Sequence, residues 1–167
     1  RVRVSSIEPY GFGDKFISLL SRPKLMPHLH LCMQSGSDRI LLKMRRAYSL
    51  SDFRAFTDKI RNTYADFNFT TDILVGFPGE TDEDFNATST AAREIGFSHI
   101  HTFKYSRRKG TIADKMPDQV PEKIKNERSK IIRLCQYFSC FFNRQYVFYT
   151  IMNIDRPGET KWIERRT

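Results

Sequence analysis

The sequence predicts an α/β fold: a parallel (β/α) partial barrel with helices outside a curved sheet. Three observations carry this. Strand-like runs near residues 1–7, 28–33, 69–75 and 98–104 alternate with helical patterns near 13–21, 37–46, 51–65, 82–95 and 121–142. That alternation is the mark of βα units with parallel pairing. The strands run out into turns of small and polar residues, where a parallel barrel carries its active rim. Finally, each strand alternates between an apolar and a polar side.

In the first strand Val2 and Val4 oppose Arg3 and Ser5. In the second, Leu29, Leu31 and Met33 take one face, and His28, His30, Cys32 and Gln34 the other. Ser37 then suits the N-cap of the next helix. Phe53, Phe56, Ile60 and Tyr64 recur at helical steps and mark the helix after it. In the third strand Thr71, Ile73 and Val75 oppose Thr70, Asp72, Leu74 and Gly76. This strand stops in Gly76-Phe77-Pro78-Gly79-Glu80, and Thr81 with Asp84 forms a capping box. In the fourth, Ile100 opposes His99 and His101. A flat parallel sheet covered on both sides is apolar on both. A barrel interior or cleft is polar when it holds a ligand. The alternative is a polar core in which Arg3, Asp72 and the histidines satisfy one another.

The 167 residues suffice for one domain with a real core, and 40% hydrophobic content with 28% charge excludes a disordered chain. A net charge of +9 suits a polyanion such as RNA, or simply a solvated basic surface. Cys32, Cys135 and Cys140 have no framework or ligand spacing, which argues for a reducing, cytoplasmic setting and no metal ligands. Cys135 and Cys140 fit core packing on a helix. No apolar run reaches membrane length. The opening inside Arg1-Val2-Arg3-Val4 reads as a strand without an approach segment, hence as a piece of a longer protein.

Five motifs fall in order: Arg3 to Pro9 (RVSSIEP), His28-Leu29-His30-Leu31, Gln34-Ser35-Gly36-Ser37-Asp38 with Met44 to Tyr48, Asp72 to Glu80 (DILVGFPGE) and Tyr105 to Thr111 (YSRRKGT). Together they resemble the radical S-adenosylmethionine methylthiotransferases over about residues 1 to 135. The Ser-Ser-Ile-Glu-Pro and His-Leu-His-Leu forms look most like the branch acting on tRNA that carries N6-threonylcarbamoyladenosine beside the anticodon. The resemblance implies a TIM-barrel-like partial (β/α)6 barrel, of which this chain holds roughly the C-terminal four βα units. It also implies an iron–sulfur cluster that cleaves S-adenosylmethionine to a 5′-deoxyadenosyl radical, and a second cluster that supports sulfur insertion. The product would be the 2-methylthio nucleoside. The C-x-x-x-C-x-x-C loop that would hold the first [4Fe-4S] cluster is not in this sequence, so the clusters are expected in the full-length protein only. Residues 136–167 are read as a helix end and an unassigned tail, with strand character near Gln145–Met152.

S-adenosylmethionine needs an apolar slot for adenine, hydroxyl or carboxamide partners for ribose, and opposed charges for its methionine end. Leu74, Val75 and Gly76 are candidates for the adenine slot, since glycine permits close backbone approach. Phe103 or Tyr105 can pack on the base. Gln34 and Ser35 suit the ribose, Ser5 and Glu8 the ammonium end, and Arg107 the carboxylate. Arg45, Arg46, Arg107, Arg108 and Lys109 are candidates for tRNA phosphates.

Two other functions fit the same residues: a non-catalytic RNA-binding fragment, and an unrelated barrel enzyme acting on a phosphorylated small molecule. If the strands pair in chain order, Arg1–Ile7 is an exposed edge, and an unpaired edge predicts a homo-dimer.

Overall fold

The computed structural model describes residues 1–142, with side chains to residue 135. The strand expected near Gln145–Met152 lies outside them. Four parallel strands pair in chain order: β1 (Val2–Ile7), β2 (Leu25–Gln34), β3 (Asn68–Val75) and β4 (His99–Lys104). The helices are α1 (Asp14–Leu19), α2 (Asp38–Lys43), α3 (Leu50–Thr63), α4 (Asp82–Ile95), the single turn α5 (Ile112–Lys115) and α6 (Glu122–Phe142). The chain is an α/β fold, as the alternation of elements predicts.

Strand parity decides where the core lies. Leu29, Leu31 and Met33 of β2, Phe69, Ile73 and Val75 of β3, and Ile100 of β4 are all buried. They form one cluster with Ile17 of α1, Leu41 of α2, Phe53, Phe56 and Ile60 of α3, Phe85 and Ile95 of α4, and Ile132 of α6. Burying each large side chain contributes about 1.5–3 kcal/mol. The helices therefore share one face of the sheet. The other face carries His28, His30, Cys32, Thr70, Asp72, His99 and His101, none of them fully buried.

Three elements differ from expectation. β2 begins at Leu25, ahead of Pro27. Proline removes a ladder donor, but the pairing of β1 with β2 is irregular between Val2↔Leu25 and Val4↔Leu29, where Pro27 sits. α2 stops at Lys43 rather than reaching Arg46, because Arg45 takes a left-handed φ of 59°. The sequence gives no apolar period for α5, which is held by the Thr111 cap accepting from Asp114 N at 3.2 Å.

Among the described residues no helix is long and apolar enough to cross a membrane.

The turns after β2 and β3 are tied to each other. The Asp84 carboxylate accepts from Ser37 Oγ at 2.6 Å, and Ser37 is the N-cap of α2. It also accepts from Thr81 N at 2.8 Å within its own capping box, and it pairs with Arg39. The Gly36 turn lies directly on α4, where an added Cβ would sit 2.7 Å from Thr88 Cα, so only glycine fits. Burial opposes ionisation of Asp84, but the hydrogen bonds from Arg39, Ser37 and Thr81 outweigh it and hold its carboxyl well below the usual range.

A carboxyl whose pKa is depressed by folding adds stability above its unfolded pKa of about 3.9, and that stability is lost as pH falls below it. Asp84→Asn keeps the shape and removes the charge, so it is expected to cost about 2–3 kcal/mol near neutral pH. It should also flatten the acid limb of the stability curve. Urea unfolding at a series of pH values measures both; an acid limb as steep as in the unmutated chain would show that Asp84 does not set it.

Candidate ligand site on the inner face

The rim of the sheet has a repeated backbone feature. Near the ends of β1, β2 and β3 stand Ser6, Gln34 and Gly76, with φ of 57°, 61° and 75°. Glycine enters this region freely, but the two others cost roughly 1–2 kcal/mol each. Such strain concentrates where a fold aims backbone at a ligand. At Ser6 and Gln34 the turn coincides with a break in strand register. The break after Val4 lets Ile7 join the helix-side core against the strand alternation.

The inner face below this rim is a polar network. His28 Nε2 and His30 Nδ1 lie 3.0 and 2.9 Å from the Thr70 hydroxyl. His30 Nε2 lies 3.3 Å from Asp72 Oδ1, and the Cys32 thiol points at Asp72 Oδ2 from 3.9 Å. Cys32 and Asp72 are direct partners in the β2–β3 register. His101, the β4 partner of Asp72, has its ring tilted 5.6 Å from that of His30 and edge-on 4.4 Å from that of His99. Burial, then the positive charges of Arg3 and His30, pull the His28 pKa down to about 4, so this imidazole is neutral at physiological pH. Burial, then the Asp72 charge, push the Cys32 thiol up.

The structure places the candidate adenine residues on different sides. Phe103 stands on the inner face, 52% exposed, and Leu74 is its direct neighbour across β3 and β4. The Val75 side chain is fully buried in the helix-side core, so only its backbone borders the rim. Tyr105 is buried with Ile40 and Phe77 in a second cluster at the rim, on which Leu74 and Met44 pack. Its hydroxyl has no hydrogen-bond partner among the described residues. Gln34 hydrogen-bonds the Cys32 thiol. Ser35 turns into the helix layer, its hydroxyl 3.1 Å from that of Thr88. Ser5 is exposed beside Ser6. Glu8 pairs with Arg46.

The basic candidates also separate. Arg46 is held by Glu8, and Arg107 by Asp114, whose side chain it meets at 3.0 Å and whose carbonyl at 2.9 Å. Arg45, Arg108 and Lys109 are exposed and make no ion pair among the described residues.

Two residues outside the sequence reading fix the Gly76 turn. The buried Glu80 carboxylate accepts from Gly76 N at 2.7 Å and pairs with Arg128 at 2.6 Å. Burial raises the Glu80 pKa, opposed by the Gly76 hydrogen bond and the Arg128 charge. Lys125 donates to the Tyr105 carbonyl at 3.0 Å while its stem lies along Gly76, where a Cβ would come within 2.3 Å of Lys125 Cγ. A side chain added at Gly76 therefore meets α6 and not an open slot. The signal for both was present: Lys125, Arg128, Ile132 and Cys135 recur at helical spacing on the buried side of α6.

Cys32 lies on the inner face and Cys135 in the helix layer, so the described residues do not bring three thiolates together.

No family model matches the chain. Single relatives do. It is 46% identical over 134 residues to the threonylcarbamoyladenosine tRNA methylthiotransferase MtaB of Thermotoga maritima, covering 80% of this chain and 31% of the relative. It is 43% identical over 161 residues to the tRNA-2-methylthio-N(6)-dimethylallyladenosine synthase of Thermobifida fusca, and 48% over 161 residues to that of Mycobacteroides abscessus. These two cover 95% of the chain and 33% and 32% of the relatives. The chain thus spans about a third of the length of the curated relatives it matches. Among solved structures, coproporphyrinogen III oxidase from Escherichia coli, described as a radical SAM enzyme, superposes with a TM-score of 0.61 at 17% identity. The overlap covers 86% of this chain and 32% of that one, and shows a shared fold. By sequence this chain is a homologue of the tRNA methylthiotransferases, and its described residues share the α/β fold of part of that solved structure.

Proposed function

We propose that this chain is the later half of the catalytic barrel of a tRNA methylthiotransferase, and that its substrate nucleoside is N6-threonylcarbamoyladenosine. The observation that carries the substrate class is the polar inner face. A threonylcarbamoyl group bears a carboxylate, a hydroxyl and two N–H groups, all of which need partners when taken out of water. His99, His101 and Arg3 can supply them. A dimethylallyl group is hydrocarbon and would want an apolar floor, which the described inner face does not offer below Leu74 and Phe103. Identity to relatives of the two substrate types is similar, so the reading rests on this chemistry.

S-adenosylmethionine, bound to an iron–sulfur cluster of the full-length protein, would supply the radical chemistry. The residues here fit its nucleoside end: exposed Phe103 and partly buried Leu74 form an apolar pair beside the backbone of the Gly76 turn. Glu80, Arg128 and Lys125 hold that turn, so its backbone is set before ligand arrives. Gln34 offers a carboxamide from the next rim turn. Glu8 and Arg46 form an ion pair at the β1 end, where the ammonium of the methionine would compete for the Glu8 carboxylate. The β1 edge has no outer strand among the described residues, and pairing of two copies there is part of the same reading.

The direct test is to express the natural gene that encodes this segment in cells lacking 2-methylthio modification and to analyse their tRNA nucleosides by mass spectrometry. Appearance of 2-methylthio-N6-threonylcarbamoyladenosine is expected; 2-methylthio-dimethylallyladenosine in its place would overturn the substrate assignment.

In the same full-length enzyme, Phe103→Ala is expected to weaken S-adenosylmethionine binding by up to about tenfold, about 1.4 kcal/mol of lost ring contact. Calorimetric titration checks this, and unchanged affinity would remove Phe103 from the site.

The loop after β4 is proposed to meet tRNA phosphate through Arg108 and Lys109, since Arg107 is already held by Asp114. Replacing Arg108 and Lys109 with glutamine should make the slope of log affinity against log salt shallower by up to about 2 units. A slope equal to that of the unmutated enzyme would leave the loop without a phosphate role.

A further inference from the structure

The floor of the inner face carries a group that neither the nucleoside nor the S-adenosylmethionine reading uses. We propose that His30, Cys32 and Asp72 bind one divalent transition-metal ion, with zinc the best fit.

The backbone builds the group. His30 and Cys32 are two residues apart on one face of β2, and Asp72 is the direct β3 partner of Cys32. One ligand atom from each lies within 4.8 Å of the others. The separations are close to those of a tetrahedral ion. With zinc bonds of about 2.0–2.3 Å, neighbouring nitrogen and oxygen ligands stand about 3.3 Å apart, and sulfur and oxygen about 3.5 Å. Here His30 Nε2 stands 3.3 Å from Asp72 Oδ1 and Cys32 Sγ 3.9 Å from Asp72 Oδ2, and one atom from each residue lies within 4.8 Å of the others. Binding through a single carboxylate oxygen requires the Asp72 and Cys32 side chains to turn inward on the ion.

The second shell has the right form. A metal-binding imidazole is oriented by a hydrogen bond at its other nitrogen. Thr70 Oγ1 holds His30 Nδ1 at 2.9 Å and leaves Nε2 turned toward Asp72. The same hydroxyl meets His28 Nε2 at 3.0 Å, so Thr70 is itself fixed. Behind Cys32, the Tyr48 hydroxyl donates to its carbonyl and steadies the strand.

The mixed donor set selects the metal. Nitrogen, sulfur and oxygen together suit zinc, whereas magnesium and calcium prefer all-oxygen sites. One thiolate and one carboxylate balance a +2 charge. The side chains of His30 and Asp72 are 12% and 24% exposed, so the site is sheltered by the strands yet reachable from the inner face. Three protein ligands leave a fourth position for water or a substrate atom, as catalytic zinc sites do. With a single thiolate this is not an iron–sulfur site, and it is separate from the cluster chemistry of the homologues. Coordination replaces the Cys32 S–H bond with a sulfur–metal bond and its proton leaves to solvent; His30 binds as neutral imidazole through Nε2 with its proton on Nδ1, and no oxidation state changes. The inference stands on this chain's residues alone and does not require the proposed substrate.

The test is cobalt titration of the metal-stripped 167-residue chain under anaerobic conditions. One cobalt per chain is expected, with visible bands of a tetrahedral ion and a near-ultraviolet thiolate-to-cobalt band, all lost on adding zinc. Cys32→Ser should abolish the thiolate band, while Cys135→Ser and Cys140→Ser leave it. Thr70→Val, which touches no metal, should weaken affinity about 10- to 100-fold with the spectrum retained. His30→Gln and Asp72→Asn should each weaken binding further, with circular dichroism confirming that each variant is folded. No saturable binding below about 100 μM, roughly −5.5 kcal/mol, would overturn the proposal. So would a thiolate band that survives Cys32→Ser, or binding that His30→Gln leaves unchanged.

Discussion

The two-residue period of the strand is the constraint on which everything else in this chain depends. Because successive side chains point to opposite faces, β2 from His28 onward, β3 and β4 sort their residues into a helix-covered side and an open one. Leu29, Leu31 and Met33 go under the helices with Phe69, Ile73 and Val75, and the apolar burial on that side drives folding. The open side is left with histidines, threonine, cysteine and aspartate. Their polarity would be costly under a second helix layer, where each group would need a buried partner. It costs little on a face that water or a polar ligand can reach. The fold and the site are thus two consequences of one alternation.

Two carboxylates at the start of α4 turn this sheet into a shaped rim. Asp84 holds the turn after β2, through Ser37 and Arg39, and caps its own helix through Thr81. Glu80 reaches back to Gly76 N and outward to Arg128 of α6. Neighbouring turns are therefore held by charge-assisted bonds to one short segment, so a shift in α4 or α6 is transmitted to both. Lys125 completes the arrangement by filling the space beside Gly76 that a side chain would otherwise take. A buried ion pair such as Glu80–Arg128 is weak evidence of stability, because desolvation offsets much of its attraction. Its value here is positional: it fixes a left-handed, glycine-dependent turn at Gly76.

Much of this was legible in the sequence. Parallel order, helix placement, the Thr81–Asp84 capping box and the polar face follow from local pattern, and the structure shows each of them. What failed to show was whatever depends on register or on distant packing. Parity put Cys32 and Asp72 on one face, but only the β2–β3 register makes them direct partners. Val75 sits in a rim motif, yet strand parity already put its side chain with Thr71 and Ile73 on the helix side, where the structure has it; Ser35 turns into the helix layer past the register break at Gln34, which motif position does not reveal. Glu8 and Arg46 are 38 residues apart, and nothing local marks them as a pair. Arg128 and Lys125 were hidden differently. They occupy apolar-spaced positions of α6, where a basic residue reads as an exposed one until a buried carboxylate is found opposite.

The inner face gathers more imidazole than a nucleoside alone requires, and its arrangement is graded. His28 is half-buried, turned toward Thr70 and neutral, which makes it a support and not a contact. His30 is next, oriented by that same threonine toward Asp72. His101 and His99 follow on β4, both exposed and in ring contact with one another. This order runs across the strands from β2 to β4, from the sheltered floor to the open side. A ligand entering from solvent therefore meets the β4 rings first and Asp72 last. Exposed rings at the entrance suit a substrate that must be admitted and released. A fixed ring backed by a hydroxyl suits a group that must hold one geometry through every turnover. The same sheet register that brings Cys32 opposite Asp72 also brings His101 opposite Asp72 from the other side. Asp72 consequently faces both groups, as His30 does through its ring contact with His101.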